Sequence, residues 1–590
     1  VGLLVFDECH LLSASSNLRR ALDGMFCVLA FNSIVPDADF LFLSAMLQNG
    51  SEFAAWVEKL TGRECVFADP LWKPSRQARG VVLYERKALE DAKKRAREIQ
   101  RDEAAKKKKP PKGLLKPARE VLTCEPFALF GLQHNWLKDG SAFCTTVKIS
   151  DSPVTLTGKL SSYGINLTPN VNKVAAHIAA TAARNGLKGI VFVNSKVTAA
   201  STAREVSNQL GDAPEATPDE QGRWDALKSE LGDLKHSLIP SPAAAVPHSA
   251  QMIRQERDLA ERLYRRGDGA QVIVATPTLA QGLNLPAHIA ILAGDKRSDP
   301  EDGERAALEA HEILNAAARA GRAGHLANGI VLLVPEPILQ FSKINEIEPD
   351  VIEKLQSVLP EDDRCLTLGD PLQVILDRIS SAALTDGDVE YALNRLATAI
   401  APEDAEAEAR TRFVVKNSFA GFLAERRNAV EEFDAKVQRL NEVLAERTDE
   451  ADDKVLCELA TQSGAPIAVL RTLRQRLIDG IGALPNTIPE WASWIIAWLG
   501  EDDTARDAIL IRDRRAILGA AGLKKDGPLT ADAVKGLEAG IHAWLAGAPL
   551  CEIERQLGGN PEKKLICPQA RELISQVIPL SFSFAAGLVS

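Results

Sequence analysis

Residues 1–10 read VGLLVFDECH: an apolar run that meets two adjacent acids, Asp7 and Glu8, followed by Cys9 and His10. Six apolar residues without polar alternation suit a strand buried on both faces of a parallel sheet. Acids at the carboxyl end of such a strand stand where open α/β sheets bind their ligands. The four residues alone are a weak pattern, because an acidic pair after a strand also opens many helices.

The same grammar recurs downstream. FLFLS (40–44), GIVFVNS (189–195), AQVIVAT (270–276), HIAILAG (288–294) and GIVLLVP (329–335) alternate with longer helical patterns. The class this predicts is α/β, with parallel strands joined by crossover helices. Beyond residue 345 the pattern is helical nearly throughout, and the charged, proline-free stretch from Asp404 to Glu446 reads as one or two long helices. Residues 457–477, CELATQSGAPIAVLRTLRQRL, read either as a helix-turn-helix whose second helix carries Arg471, Arg474 and Arg476, or as a plain helical pair in a bundle. Trp491, Trp494 and Trp498 share one helix face and read as core.

At 590 residues the chain is long enough for about three or four domains. Its 45% apolar and 25% charged residues exclude general disorder. No uninterrupted apolar stretch reaches the roughly 18 residues of a spanning helix, since Pro579, Ser581 and Ser583 break the C-terminal run, so no membrane partner is expected. The nine cysteines are far apart, with no CxxC pair, which points to a reducing, cytoplasmic setting. The net charge of −10 argues against coating nucleic acid by bulk charge. Its distribution is uneven: Glu85 to Glu120 holds 14 Lys/Arg against 7 Asp/Glu, a basic island that is either a solvated face or an arm along a nucleic-acid path. The stretch from Gly211 to Pro247 reads as a second insertion, with a short helix around Trp224.

Four more segments follow the acidic pair in a fixed order: Ser44-Ala45-Met46 after the next strand; GIVFVNSK ending at Lys196, with VPHSAQMIRQER around His248, Glu256 and Arg257; ATPTLAQGLNLPA (275–287); and NAAARAGRAGH (315–325). With this order the chain resembles the superfamily-two DExH-box helicases, especially the superkiller-like branch, over roughly residues 1–345. The resemblance implies two RecA-like parallel-sheet domains, the first incomplete, followed by a mostly helical C-terminal region. The expected segments are 1–80, the C-terminal part of the first RecA-like domain; 81–345, the second, with a basic insertion at about 85–165; and 346–590, a helical accessory region with a possible winged-helix or helix-turn-helix module.

The resemblance also implies roles. Asp7 would hold Mg²⁺ through water, Glu8 would orient and deprotonate the attacking water, and His10 would link that site to Ser44 and the nucleic-acid face. Arg319 and Arg322 would stabilise charge at the γ-phosphate of ATP, the large term in phosphoryl transfer. Gly282 and Asn284 would line the ATP cleft. Ser44, Lys196, His248, Thr276 and Thr278 would face DNA or RNA. Asn315, Ala318 and Met46 depart from the family's glutamine, glycine and threonine, which touches coupling more than ATP binding. No GxxxxGK[ST] loop occurs in the 590 residues, and we expect it upstream of Val1. The function expected is an ATP-dependent nucleic-acid helicase or translocase; the alternative is a catalytically inactive nucleic-acid-binding scaffold of the same fold. A metal-dependent hydrolase built on Asp7, Glu8 and His10 lacks a second histidine cluster at ligand spacing.

Overall fold

The computed structural model describes residues 2–590 except 14–16, 45–46, 69–75, 107–110, 112, 132–143, 162–163, 212–214, 277–284, 286, 299–304, 309–311, 314–318, 322–327, 345–347, 359–365, 382–386, 399–413 and 450–453. The chain divides into two compact units, each discontinuous in sequence. One comprises Val1–Asp69, Asp363–Leu545 and Gln576–Ser590; the other comprises Pro70–Asp362 and Ala546–Ser575.

In the first unit, β1 (Leu3–Phe6) lies parallel to β2 (Asp39–Phe42), with Leu3 opposite Asp39 and Phe6 opposite Phe42. One face of this pair carries Phe6, Phe40 and Phe42, whose rings continue through Phe53 and Trp56 to Phe419 of the helical part. The opposite face is open: Leu3, Val5, Leu41 and Leu43 are 42–50% exposed. The expectation of two-sided burial therefore fails for β1 and β2, because among the described residues helices cover only one side. Helix Leu18–Ile34 ties this segment to the later helices. Tyr391 Oη donates to both carboxylate oxygens of Asp23 (2.8 and 2.6 Å), Arg19 stacks over the Tyr391 ring, and Leu22 joins a core with Leu372, Leu376, Leu393 and Leu440.

The helical part runs as expected. Residues 404–413 of the charged stretch lie outside the described residues; from 414 on it is helical at 414–417 and in helices Phe419–Arg426 and Val430–Asp449, with a left-handed backbone at Asn428 between the last two. Helices Lys454–Ser463 and Ile467–Asp479 are joined by a short turn at Gly464, an arrangement both readings of this segment share, and no strand follows them among the described residues. Trp498 is fully buried, as read from its spacing. Trp491 and Trp494 are only half-buried, and Arg476 lies over the Trp494 ring at 5.3 Å.

The second unit is built on a nine-stranded mixed sheet of β3 (Arg76–Glu85), β4 (Phe127–Gly131), β5 (Cys144–Lys148), β6 (Gly189–Val193), β7 (Ala245–His248), β8 (Val272–Ala275), β9 (Ile289–Ala293), β10 (Asn328–Val334) and β11 (Gln340–Phe341). The spatial order is β7-β8-β6-β9-β10-β3-β4-β5, with β11 beside β3. From β7 to β3 every pairing is parallel, and β6 to β9 are buried along their whole length, as continuous apolar runs require. The antiparallel flank of β4 and β5 makes the sheet mixed rather than parallel.

Helix Arg86–Ala105, the centre of the basic island, buries Leu89, Ala92, Ala96 and Gln100 at helical spacing and turns its charges outward. It roofs a small core of Leu114, Ala118, Leu122 and Ile165. Helix Pro218–Leu231 opens with a Thr217/Glu220 capping box, which satisfies two end groups reciprocally.

By length and composition Pro568–Val589 is one helix long and apolar enough to cross a membrane, a feature the interrupted run concealed. Arg571 within it is wholly buried, and both its terminal nitrogens reach the Glu256 carboxylate, which ties this part of the helix into protein. The six described free cysteines are Cys9, Cys27, Cys65, Cys124, Cys551 and Cys567.

Candidate active site

β1 ends at Phe6, and the chain then reverses tightly. The Cys9 N–H donates to the Leu43 carbonyl (2.9 Å) and the Leu43 N–H to the Phe6 carbonyl (3.0 Å), which sews together the carboxyl ends of both strands. Asp7 projects into solvent, and its Oδ1 accepts the Glu8 N–H at 2.9 Å. Glu8 takes φ 54° and ψ 45°, a left-handed conformation that a side chain bearing Cβ adopts at a cost of about 1–3 kcal/mol. A short 3₁₀ turn, Cys9–Leu12, follows and buries His10 to 3% exposure.

His10 Nδ1 lies 3.4 Å from Glu8 Oε2 and 3.5 Å from Ser44 Oγ. Glu8, His10 and Ser44 therefore meet, although 34 residues separate His10 from Ser44. The chain just after Ser44 is also anchored: Leu47 bridges Leu366, and the Asn49 side chain exchanges hydrogen bonds with the backbone of Leu368 (2.8 and 3.0 Å). Burial pushes the Cys9 thiol up to about 12, so it is neutral and no nucleophile.

In the second unit, three adjacent parallel strands deliver three candidates to one sheet edge. β6 runs out toward Lys196, exposed at the start of helix Lys196–Leu210; β7 ends at His248; and β8 ends just before Thr276. His248 is buried to 3% exposure with Nε2 3.2 Å from Glu261 Oε1, and burial holds its pKa below the ordinary histidine value. Thr276 is 7% exposed. As placed, Lys196 faces solvent while His248 and Thr276 lie beneath the surface. Glu256, in the same motif as His248, accepts backbone N–H groups of Leu238 (2.8 Å) and Ile253 (3.2 Å) besides pairing with Arg571. Its position is that of a buried structural anchor, and the sequence contained no sign of its partner 315 residues away.

Arg319 lies half-buried at the other end of the same sheet. The following residue, Ala320, bridges Ala287 just before β9. Thr278, Gly282, Asn284 and Arg322 lie outside the described residues. Sequence reading overlooked Gln77 and Arg79, both buried, which reach the turn holding Arg319 from the start of β3.

No family model matches the chain. Comparison with curated proteins finds 32% identity over 181 residues with the U5 small nuclear ribonucleoprotein 200 kDa helicase of Drosophila melanogaster, covering 29% of this chain and 8% of that protein. The DExH-box ATP-dependent RNA helicase DExH13 of Arabidopsis thaliana is 31% identical over 182 residues, with the same two coverages. The pre-mRNA-splicing factor brr2 of Schizosaccharomyces pombe is 34% identical over 143 residues, 22% of this chain and 6% of that protein. The chain's homologues are DExH-box RNA helicases.

The matched stretch spans less than a tenth of these helicases' own length. The DExH letters stand in this chain as Asp7-Glu8-Cys9-His10, at the end of β1. Asp7 is exposed and Glu8 half-buried, while the cysteine and histidine are buried.

Proposed function

We propose that the chain belongs to the working part of an ATP-dependent nucleic-acid helicase or translocase of the DExH-box, superkiller-like group, with its strands arranged in RecA-like domains. The observation that carries this is the meeting of Glu8, His10 and Ser44 at the end of β1, in a chain whose homologues are DExH-box helicases. RNA is the favoured polymer, because the relatives' names specify RNA helicases and a splicing factor. A cytoplasmic location is proposed from the cysteine usage alone.

The residues present fit a hydrated magnesium ion better than a protein-built cage. Among the described residues no group of three or more His, Cys, Asp or Glu converges on a metal position, whereas Asp7 offers one outward carboxylate. Bound MgATP supplies the phosphoanhydride to be cleaved and neutralises part of its charge. Asp7 would be the carboxylate that holds the ion, and Glu8 would be the base that takes a proton from the attacking water. His10 holds Glu8 against Ser44, so that the strand-facing loop and the acid move together. Arg319 and Arg322 place guanidinium groups where negative charge grows. By the resemblance, Gly282 and Asn284 would serve the same ATP chemistry. By the resemblance, Ser44, Lys196 and Thr278 would contact nucleic acid, while His248 and Thr276, both buried, would support their loops.

The test is strand displacement by the full-length protein on matched RNA and DNA duplexes with a single-stranded tail. ATP-dependent separation of either duplex supports the helicase reading. ATP-independent binding without turnover would return the scaffold alternative.

A further inference from the structure

The peptide between Ala320 and Gly321 sits between the two arginines assigned to ATP, and both of its polar groups are held. Its N–H donates to the Ala287 carbonyl at 3.1 Å, and its carbonyl accepts Gln77 Nε2 at 2.7 Å. The Gln77 carboxamide oxygen in turn accepts two hydrogen bonds from Arg79, from Nε at 3.1 Å and Nη2 at 2.9 Å. The orientation of the Gln77 amide is forced, since a guanidinium can only donate and a carbonyl can only accept. Gln77 and Arg79 are 8% and 5% exposed, so these bonds are made away from water, where the cation polarises the amide and strengthens its N–H as a donor.

Sterics close the third side. Gln77 stands opposite Gly329 in the β3–β10 register. A Cβ on Gly329 would come within 2.5 Å of the Ala320 carbonyl carbon, and one on Gly321 within 2.6 Å of the Gly329 nitrogen. Gly321 also has φ +66°. The turn therefore lies directly on β10, held by β3 on one side and by the chain entering β9 on the other.

We propose that Gln77, oriented by Arg79, is a positioning residue for the arginine turn, setting the direction in which Arg319 leaves it. The proposal rests on the arginine reading given above. A side chain that stabilises a transition state loses effect steeply with displacement, and an error of about 1 Å costs on the order of 10²-fold.

The experiment uses the full-length protein with Gln77→Glu, which keeps an acceptor for Arg79 but replaces the donor to Ala320 with a carboxylate. We expect kcat for nucleic-acid-stimulated ATP hydrolysis to fall about 10- to 100-fold, with KM for ATP and nucleic-acid affinity unchanged. Hydrogen exchange at the Gly321 amide should accelerate, and Arg319→Ala combined with Gln77→Glu should lose little beyond Arg319→Ala alone. Arg79→Lys, which keeps the charge and loses the fork, provides a milder second variant with the same direction of change. Lowered turnover in Arg319→Ala beside normal turnover in both Gln77→Glu and Arg79→Lys would overturn the positioning role alone. Normal turnover in Arg319→Ala would overturn the arginine reading and the proposal together.

Discussion

Glu8 Oε2 stands 3.4 Å from His10 Nδ1, and the backbone that brings them together is left-handed at Glu8 itself. Glycine would adopt that conformation without strain, so the acid is retained at a cost in stability. Glu8→Gly should therefore keep the fold, with an unfolding free energy equal to wild type or higher by up to about 1 kcal/mol, while turnover in the full-length protein is lost. Denaturant melts and steady-state ATPase assays on the same preparations check both halves. A clear loss of stability would mean that the Glu8 interactions outweigh its backbone strain.

Arg322→Ala should lower nucleic-acid-stimulated turnover by on the order of 10³. Arg223→Ala is the control, because Arg223 sits on an outer helix face paired with Asp219 and Asp258 and should leave the chemical step unchanged. Ordinary turnover in Arg322→Ala would show that residues 315–325 match the helicase pattern without its chemistry.

The basic helix can be tested without removing it. Deleting residues 87–112 would uncover Leu122 and Ile165, so exposed charges are the better target. Lys94→Ala, Arg101→Ala and Lys106→Ala together should leave the melting temperature within a few degrees. If these residues touch phosphates, the log–log salt slope of binding should flatten by about 0.7–0.9 for each phosphate that is no longer neutralised. An unchanged slope assigns the helix to a solvated face.

Asp370 supplies a pH signature for the first unit. Its carboxylate accepts the Leu372 N–H at 2.7 Å and the Ala420 N–H at 2.6 Å, yet burial, the larger effect, pushes its pKa up to about 6. A carboxyl raised above its ordinary value adds stability that is complete below that value and is lost as pH rises through about 6. The gap in unfolding midpoint between wild type and Asp370→Asn should shift in favour of wild type as pH falls from about 7.5 to about 5. Asparagine carries a constant offset from its altered hydrogen bonding, so the slope is the informative quantity. A gap independent of pH would show that Asp370 stays ionised throughout.

The parallel strands of the second unit are legible because β6 to β9 are apolar at nearly every position, which only two-sided burial explains. The same reading misleads at β1 and β2, where Leu3, Val5, Leu41 and Leu43 are as apolar as core residues but lie open. Hydrophobicity records what a face tolerates, not what covers it. The flank of β4 and β5 is hidden in sequence because FALFG and CTTVK are short, and CTTVK has little of the apolar character of the parallel strands. At the site, the positions of Asp7, Glu8, His10 and Ser44 follow from two strand ends. The left-handed backbone of Glu8 does not, since glutamate has no preference for it. Gln77 escapes sequence reading for another reason: it lies inside an ordinary strand and acts on a carbonyl 243 residues away.

The decisive measurement is ATP turnover by the full-length protein with Glu8→Gln, at saturating RNA and alongside wild type. The amide preserves size and can still reach His10, but it cannot accept the proton of the attacking water. ATP binding, followed by a fluorescent nucleotide, should stay near wild type while hydrolysis falls to background. Hydrolysis by Glu8→Gln close to the wild-type rate would contradict the assignment of Glu8, and with it the reading of this chain as a DExH-box ATPase.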